Sequence, residues 1–325
     1  MLTRRLAAAA VALLVVAGCS TGGRMPTAVP QSPSTVEESA TARTIPACDV
    51  PCYGEPESVG MVSPDVAVEV SGIAESHRTP GVYYVVSDST GTSQVAAVRA
   101  DGSLVARIEV DGMSARNAEA LAIGPCEPGG TQTCLYVGDI GNHVGHEDVF
   151  VYRIGEPDLA APPRNPVPAD MLRFTYPGSA PDAEALLVDD AGRPLIVSKA
   201  PFDAGVTGMT HLFRGAADGG ELEHVGEIDV PEPARPVFAG VVGNGVTDAS
   251  AADDRVLLRT YDEVIEYRAP EPGVDLASFP GWPVRRVPAP EQIQSEAVTY
   301  RPNGCGYLTV SEFTGSVDAV GCRPS

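Results

Sequence analysis

Ser71-Gly72-Ile73-Ala74, a turn through Thr79-Pro80-Gly81, then Tyr83-Tyr84-Val85-Val86 and a Ser87-Asp88 stop form the most informative stretch of the chain. It reads as a polar start, an apolar strand, a turn, a second apolar strand and a polar stop. The plan returns at Ala118-Glu119-Ala120-Leu121-Ala122-Ile123 with Leu135-Tyr136-Val137-Gly138-Asp139, and at Ala183-Glu184-Ala185-Leu186-Leu187-Val188 with Leu195-Ile196-Val197-Ser198-Lys199. It returns again at Val246-Thr247-Asp248-Ala249 with Val256-Leu257-Leu258-Arg259-Thr260, and at Ser295-Glu296-Ala297-Val298 with Tyr307-Leu308-Thr309-Val310-Ser311-Glu312. Glycine, asparagine and aspartate fall at the turns and β-branched or aromatic residues in the strands, the composition of β-hairpins.

The start motifs stand 47, 65, 63 and 49 residues apart. Further strand-like stretches follow each hairpin, so a unit holds about four short strands, and tandem units of roughly 40–50 residues plus insertions are the signature of a β-propeller. The expected fold is all-β: a propeller of five blades, or six if an insertion hides a degenerate unit. The last unit runs out at Ser316 to Val320, and Val66 to Val70 is expected to supply the missing outer strand and close the ring. Closure of this kind removes exposed sheet edges. A β-sandwich with long insertions is the alternative, but it gives no reason for the repeated start.

The composition agrees. The 325 residues are 43% hydrophobic, enough for a packed core, and the 34 glycines and 30 prolines argue against a helical bundle. A net charge of −21 excludes a nucleic-acid binder, because the phosphate backbone would repel the chain.

Residues 1–18 carry Arg4 and Arg5, an apolar run from Leu6 to Val16, and Ala17-Gly18 directly before Cys19. The run is too short to span a membrane comfortably. The arrangement resembles the lipobox of bacterial lipoproteins. That resemblance implies cleavage before Cys19, acylation of its sulfur (palmitate-type chains), and a body held on the extracytoplasmic face of the cell membrane. Residues 19–47, rich in Ser, Thr, Pro, Gly and Ala, read as a flexible tether, and 48–325 as the propeller domain.

With Cys19 lipidated, six cysteines remain in an oxidising compartment. The expected pairs are the local ones, Cys48–Cys52, Cys126–Cys134 and Cys305–Cys322. A zinc site is the rival, although no histidine stands beside these cysteines.

The motifs also resemble those of secreted or lipid-anchored β-propellers of actinobacteria. They are Ser71-Gly72-Ile73-Ala74, Leu135 to Gly141, Val151-Tyr152-Arg153-Ile154 with Glu156-Pro157, Glu184 to Asp189, Leu258-Arg259-Thr260-Tyr261, and Glu296-Ala297-Val298. The resemblance covers roughly residues 65–315 and implies fold and location, since the family has no assigned reaction. Where the family pattern expects Asp-Asn, this chain has Asn142-His143. Phytase-like propellers are more distantly similar, but their acidic calcium clusters have no counterpart here residue by residue.

Hairpin geometry nominates a site. The first strand of each unit is expected innermost, and its partner returns antiparallel, so starts and stops meet on one rim. The starts bring Glu119, Glu184, Asp248 and Glu296; the stops bring Asp88, Asp139, Lys199, Arg259 and Glu312. Carboxylates crowded in this way call for a cation or hydrogen-bond donors. Lys199 is the only lysine among the 22 basic residues, and a structural ion pair with Glu184 or Asp139 would account for it equally well.

His143 and His146 sit in a Gly-rich loop without the helical spacing of a metalloprotease. No G-x-S-x-G elbow, P-loop or dinucleotide fingerprint occurs. The leading expectation is therefore a non-catalytic binding module that presents an acidic channel mouth to a ligand or envelope protein. The alternative is a calcium-type hydrolase of phosphoesters or small esters at that mouth.

Overall fold

The short apolar runs of the repeats form strands because both of their faces are covered. The structure, a computed structural model, describes residues 52–142, 145–302 and 305–323. The export signal, Cys19, the tether, Cys48 and His143 lie outside the described residues.

Strand β1 (Cys52–Met61) comes first and finds its partner only at the end of the chain. The first complete antiparallel sheet is β2 (Val70–Glu75), β3 (Val82–Ser87), β4 (Gln94–Arg99) and β5 (Leu104–Asp111). The second is β6 (Ala118–Pro125), β7 (Thr133–Asp139), β8 (Asp148–Gly155) and β9 (Val167–Thr175), and a short parallel pairing of β5 with β9 links the outer edges of these two units. The third is β10 (Ala183–Val188), β11 (Pro194–Ser198), β14 (Thr210–Arg214) and β16 (Glu223–Ile228). The two-residue strands β12 (Phe202–Asp203) and β13 (Val206–Thr207) form a hairpin between β11 and β14, and β15 (Gly220–Glu221), between β14 and β16, pairs in parallel with β9. A one-turn helix, α1 (Ala239–Val242), precedes the fourth sheet of β17 (Val246–Ala252), β18 (Arg255–Thr260), β19 (Val264–Arg268) and β20 (Val284–Val287). The last sheet is β21 (Ser295–Tyr300), β22 (Tyr307–Ser311) and β23 (Ser316–Arg323), completed on its outer edge by β1.

Strands β2, β6, β10, β17 and β21 stand side by side in that order, and β21 returns to β2, so the inner strands close a ring. The protein is a β-propeller. Apolar clusters fill every wedge between neighbouring sheets, for example Tyr84, Val86, Leu121 and Val137 between the first and second. Each inner hairpin packs on both sides, which is why Val-Tyr-Tyr-Val-Val and Ala-Glu-Ala-Leu-Leu-Val show no polar alternation. Gly72 lets β2 approach β6 closely: a Cβ there would lie 2.6 Å from the Leu121 amide nitrogen.

Two expectations change. An N-terminal strand does close the ring, but it is Cys52–Met61 and not Val66 to Val70. Val66 and Ala67 instead pack against the core between the last and first sheets, and Val70 begins the innermost strand β2. The closing strand escaped sequence reading because it is an outer edge: its run of glutamate, proline, serine and glycine lacks apolar alternation, and its pairing is interrupted by two bulges. In addition, β20 had no sequence signal, as three of its four residues are exposed.

The disulfides Cys126–Cys134 and Cys305–Cys322 are present, with Cα–Cα distances of 5.0 and 5.4 Å. The Cys48 partner proposed for Cys52 lies outside the described residues. Trp282 packs into the core with Tyr267 and Phe279.

Candidate site at the acidic mouth

Every inner hairpin breaks register at its second residue. The pairing slips between Val70 and Gly72, Ala118 and Ala120, Ala183 and Ala185, Val246 and Asp248, and Ser295 and Ala297. The residues left over are Ser71, Glu119, Glu184, Thr247 and Glu296. A bulge re-aims the side chain it carries, so three of these bulges deliver a glutamate to the same rim. On the returning strands, the residues paired with the starts are Ser87, Asp139, Ser198, Thr260 and Ser311. One step further along the chain stand Asp88, Ile140, Lys199, Tyr261 and Glu312.

This frame sorts the nominated residues. Asp88, Glu119, Glu184, Lys199, Glu296 and Glu312 converge at the mouth, within electrostatic reach of one another. Lys199 donates to Glu184 Oε1 and, at 2.6 Å, to the Tyr261 hydroxyl. Gln294 donates to Glu312 at 2.6 Å, and Asn117 to Glu119 at 2.6 Å. Tyr261 was missed by sequence reading; counting one residue beyond each paired stop would have found it.

Asp139, Asp248 and Arg259 are buried behind this group, although Asp248 still feels Glu184 and Arg259 still feels Glu296 electrostatically. Asp139 occupies the paired position and accepts from the Arg116 and Asn117 amides at 2.9 and 2.7 Å, capping the turn into β6. Asp248 follows its bulge, where the other units have Gly72, Ala120, Ala185 and Ala297. It is fully buried and accepts from the Ala249 and Val298 amides, both at 2.8 Å, and from Ile73. Arg259 precedes its stop, where other units have Val86, Gly138, Val197 and Val310. It is buried in the wedge between the fourth and last sheets and donates to Ser295 Oγ.

Crowding and burial make the mouth carboxyls reluctant to ionise. Burial, then Glu184 and Asp88, push Glu119 up to about 8. Burial pushes Glu184 up to about 7 even with Lys199 beside it. Burial and then Glu69 and Glu312 push Asp88 up to about 7. Glu296 is raised well above the carboxylate range by burial and by Glu184. Burial works against the charge of Lys199, but Glu184, Tyr261 and Glu296 outweigh it and raise its pKa. Glu184 Oε2 and Asp88 Oδ1 are buried atoms with no hydrogen-bond partner among the described residues. Among the described residues, no group of three or more His, Cys, Asp or Glu is arranged to hold a metal ion.

The loops framing this rim carry exposed apolar side chains: Val206, Met209, Val237, Val241, Ile293 and Phe313, between 46% and 73% exposed. Each lies in a connection that enters or leaves its sheet at the mouth end.

The chain matches no family model and no curated protein. Solved structures are similar to it at low identity. Virginiamycin B lyase of Staphylococcus aureus is 11% identical over 82% of this chain and 99% of its own, with a TM-score of 0.40. The Cps50 (Swd1) β-propeller domain of Myceliophthora thermophila is 9% identical over 82% and 100%, with a TM-score of 0.40. A Bacteroides thetaiotaomicron protein of unknown function is 9% identical over 82% and 76%, with a TM-score of 0.44.

Proposed function

We propose that the chain is a five-bladed propeller exported and anchored through lipidated Cys19, which binds a partner protein at its acidic mouth. The partner segment inserts a lysine or arginine into the cup formed by Glu119, Glu184, Glu296, Glu312 and Asp88, and its flanking apolar residues rest on the surrounding loops. The observation that carries this reading is the buried Glu184 oxygen without a donor, at the centre of an acidic ring framed by exposed Val, Met, Ile and Phe. A desolvated cation would supply the missing donor and relieve the repulsion. The apolar rim would supply the buried area that a lone ion pair lacks.

The direct test is fluorescence anisotropy with a terminally blocked peptide in which lysine sits between phenylalanine and leucine. Binding should weaken at least tenfold when the peptide lysine becomes glutamate or when Glu119 and Glu296 are changed to Gln. It should also weaken with rising salt. Equal binding by all of these pairs would refute the reading, and so would calcium-dependent phosphoester turnover lost in the same variants. The anchor is tested separately, since Cys19→Ser should move the protein from the membrane fraction to the soluble fraction.

A further inference from the structure

A large cavity of the described residues lies away from the acidic mouth. It lies at the opposite ends of the inner strands, has a volume of about 1040 Å³, and takes residues from all the sheets. This is ample for a small ligand, since pockets of roughly 300–1,000 Å³ hold drug-sized molecules. Two facing charges mark its polar side. Glu75 ends β2 and lines the cavity, where its amide donates to Thr299 Oγ1 at 3.2 Å but its carboxyl has no hydrogen-bond or ion-pair partner among the described residues. Arg301, just after β21, also lines the cavity and lies against the buried Tyr83 hydroxyl. Glu75 and Arg301 feel one another electrostatically, yet they form no ion pair within 4.0 Å. Burial pushes the Glu75 carboxyl up to about 8 against the pull of Arg301. The other walls include Ile123, Val188, Leu276 and the Trp282 indole, while Asp190 and Asp253 stand exposed on the lip.

We infer that this cavity binds an amino acid or short apolar peptide with free termini, its ammonium on Glu75 and its carboxylate on Arg301. A zwitterion fills the gap between two opposed charges that do not meet. An apolar side chain suits the aliphatic and indole walls, and the lip aspartates repel ligands of net negative charge. The site is independent of the mouth, which lies at the other end of the inner strands.

The test is isothermal titration with the dipeptide leucyl-leucine, its N-acetylated form and its C-terminal amide. The free dipeptide should bind, and blocking either end should weaken binding at least tenfold. Glu75→Gln and Arg301→Met should each do the same while circular dichroism and the thermal midpoint stay near those of the parent. Glu119→Gln at the mouth should leave dipeptide affinity unchanged. The inference falls if the free dipeptide gives no heat, if the blocked forms bind equally, or if the affinity follows Glu119 and not Glu75 and Arg301.

Discussion

Asp248 joins three inner strands through one side chain. Its carboxyl accepts from amides of β17, β21 and β2, while the corresponding residues elsewhere are glycine or alanine. Asp248→Ala would leave these buried donors unpaired, at roughly 1–3 kcal/mol per group. Chemical denaturation should therefore show a loss of about 2–4 kcal/mol, with Asp248→Asn losing less because one oxygen remains; a loss below about 0.5 kcal/mol would contradict the bridging role. Arg259 makes the opposite case. It is fully buried, and its Nε and Nη1 have no partner among the described residues, in a place where the repeat elsewhere has valine or glycine. Replacing a poorly satisfied buried charge by an apolar side chain is often neutral or stabilising. Arg259→Met should keep or raise the melting temperature, and a marked fall would show that its contact with Ser295 holds the wedge.

Among the elements, the recurring bulge at the second residue of each inner strand is what turns repeat into site. It explains both what sequence reading recovered and what it lost. The paired apolar runs are continuous because wedges on both sides bury them, so they were legible without alternation. The bulge and the residue beyond each stop depend on register, which apolar patterning does not report. That is why Tyr261 was missed, and why Asp139 and Asp248 were set one place and Arg259 two places out of frame. The closing strand β1 was illegible for a related reason, as an outer edge needs few apolar residues. Its role is testable: deletion of Cys52–Met61 would leave β23 without its outer partner and expose an unpaired edge. The deletion should lower the melting temperature and promote self-association by light scattering. A monomer of unchanged stability would show that the ring closes without it.

For the molecule as a whole, the mouth imposes a pH dependence. Glu119, Glu184 and Asp88 have folded pKa values raised from ordinary carboxyl values to about 8, 7 and 7, and Glu75 at the other rim is raised to about 8. A carboxyl raised by folding holds its proton more tightly in the folded chain. Between its ordinary value and its raised one, the folded chain therefore binds more protons than the unfolded chain, and stability falls as pH rises. The melting temperature should be higher near pH 5 than near pH 8, with Glu119→Gln flattening the slope; a midpoint that climbs over this interval would be the wrong sign. Carbon-detected NMR titration of glutamate side chains, with and without the blocked lysine peptide, reaches the underlying chemistry most directly. The free protein should show glutamates titrating near pH 7 to 8, and peptide should move the mouth carboxyls down into the ordinary range while protecting them from solvent. Mouth glutamates that all titrate at ordinary values, or that ignore the peptide, would contradict a strained acidic cup awaiting a cation.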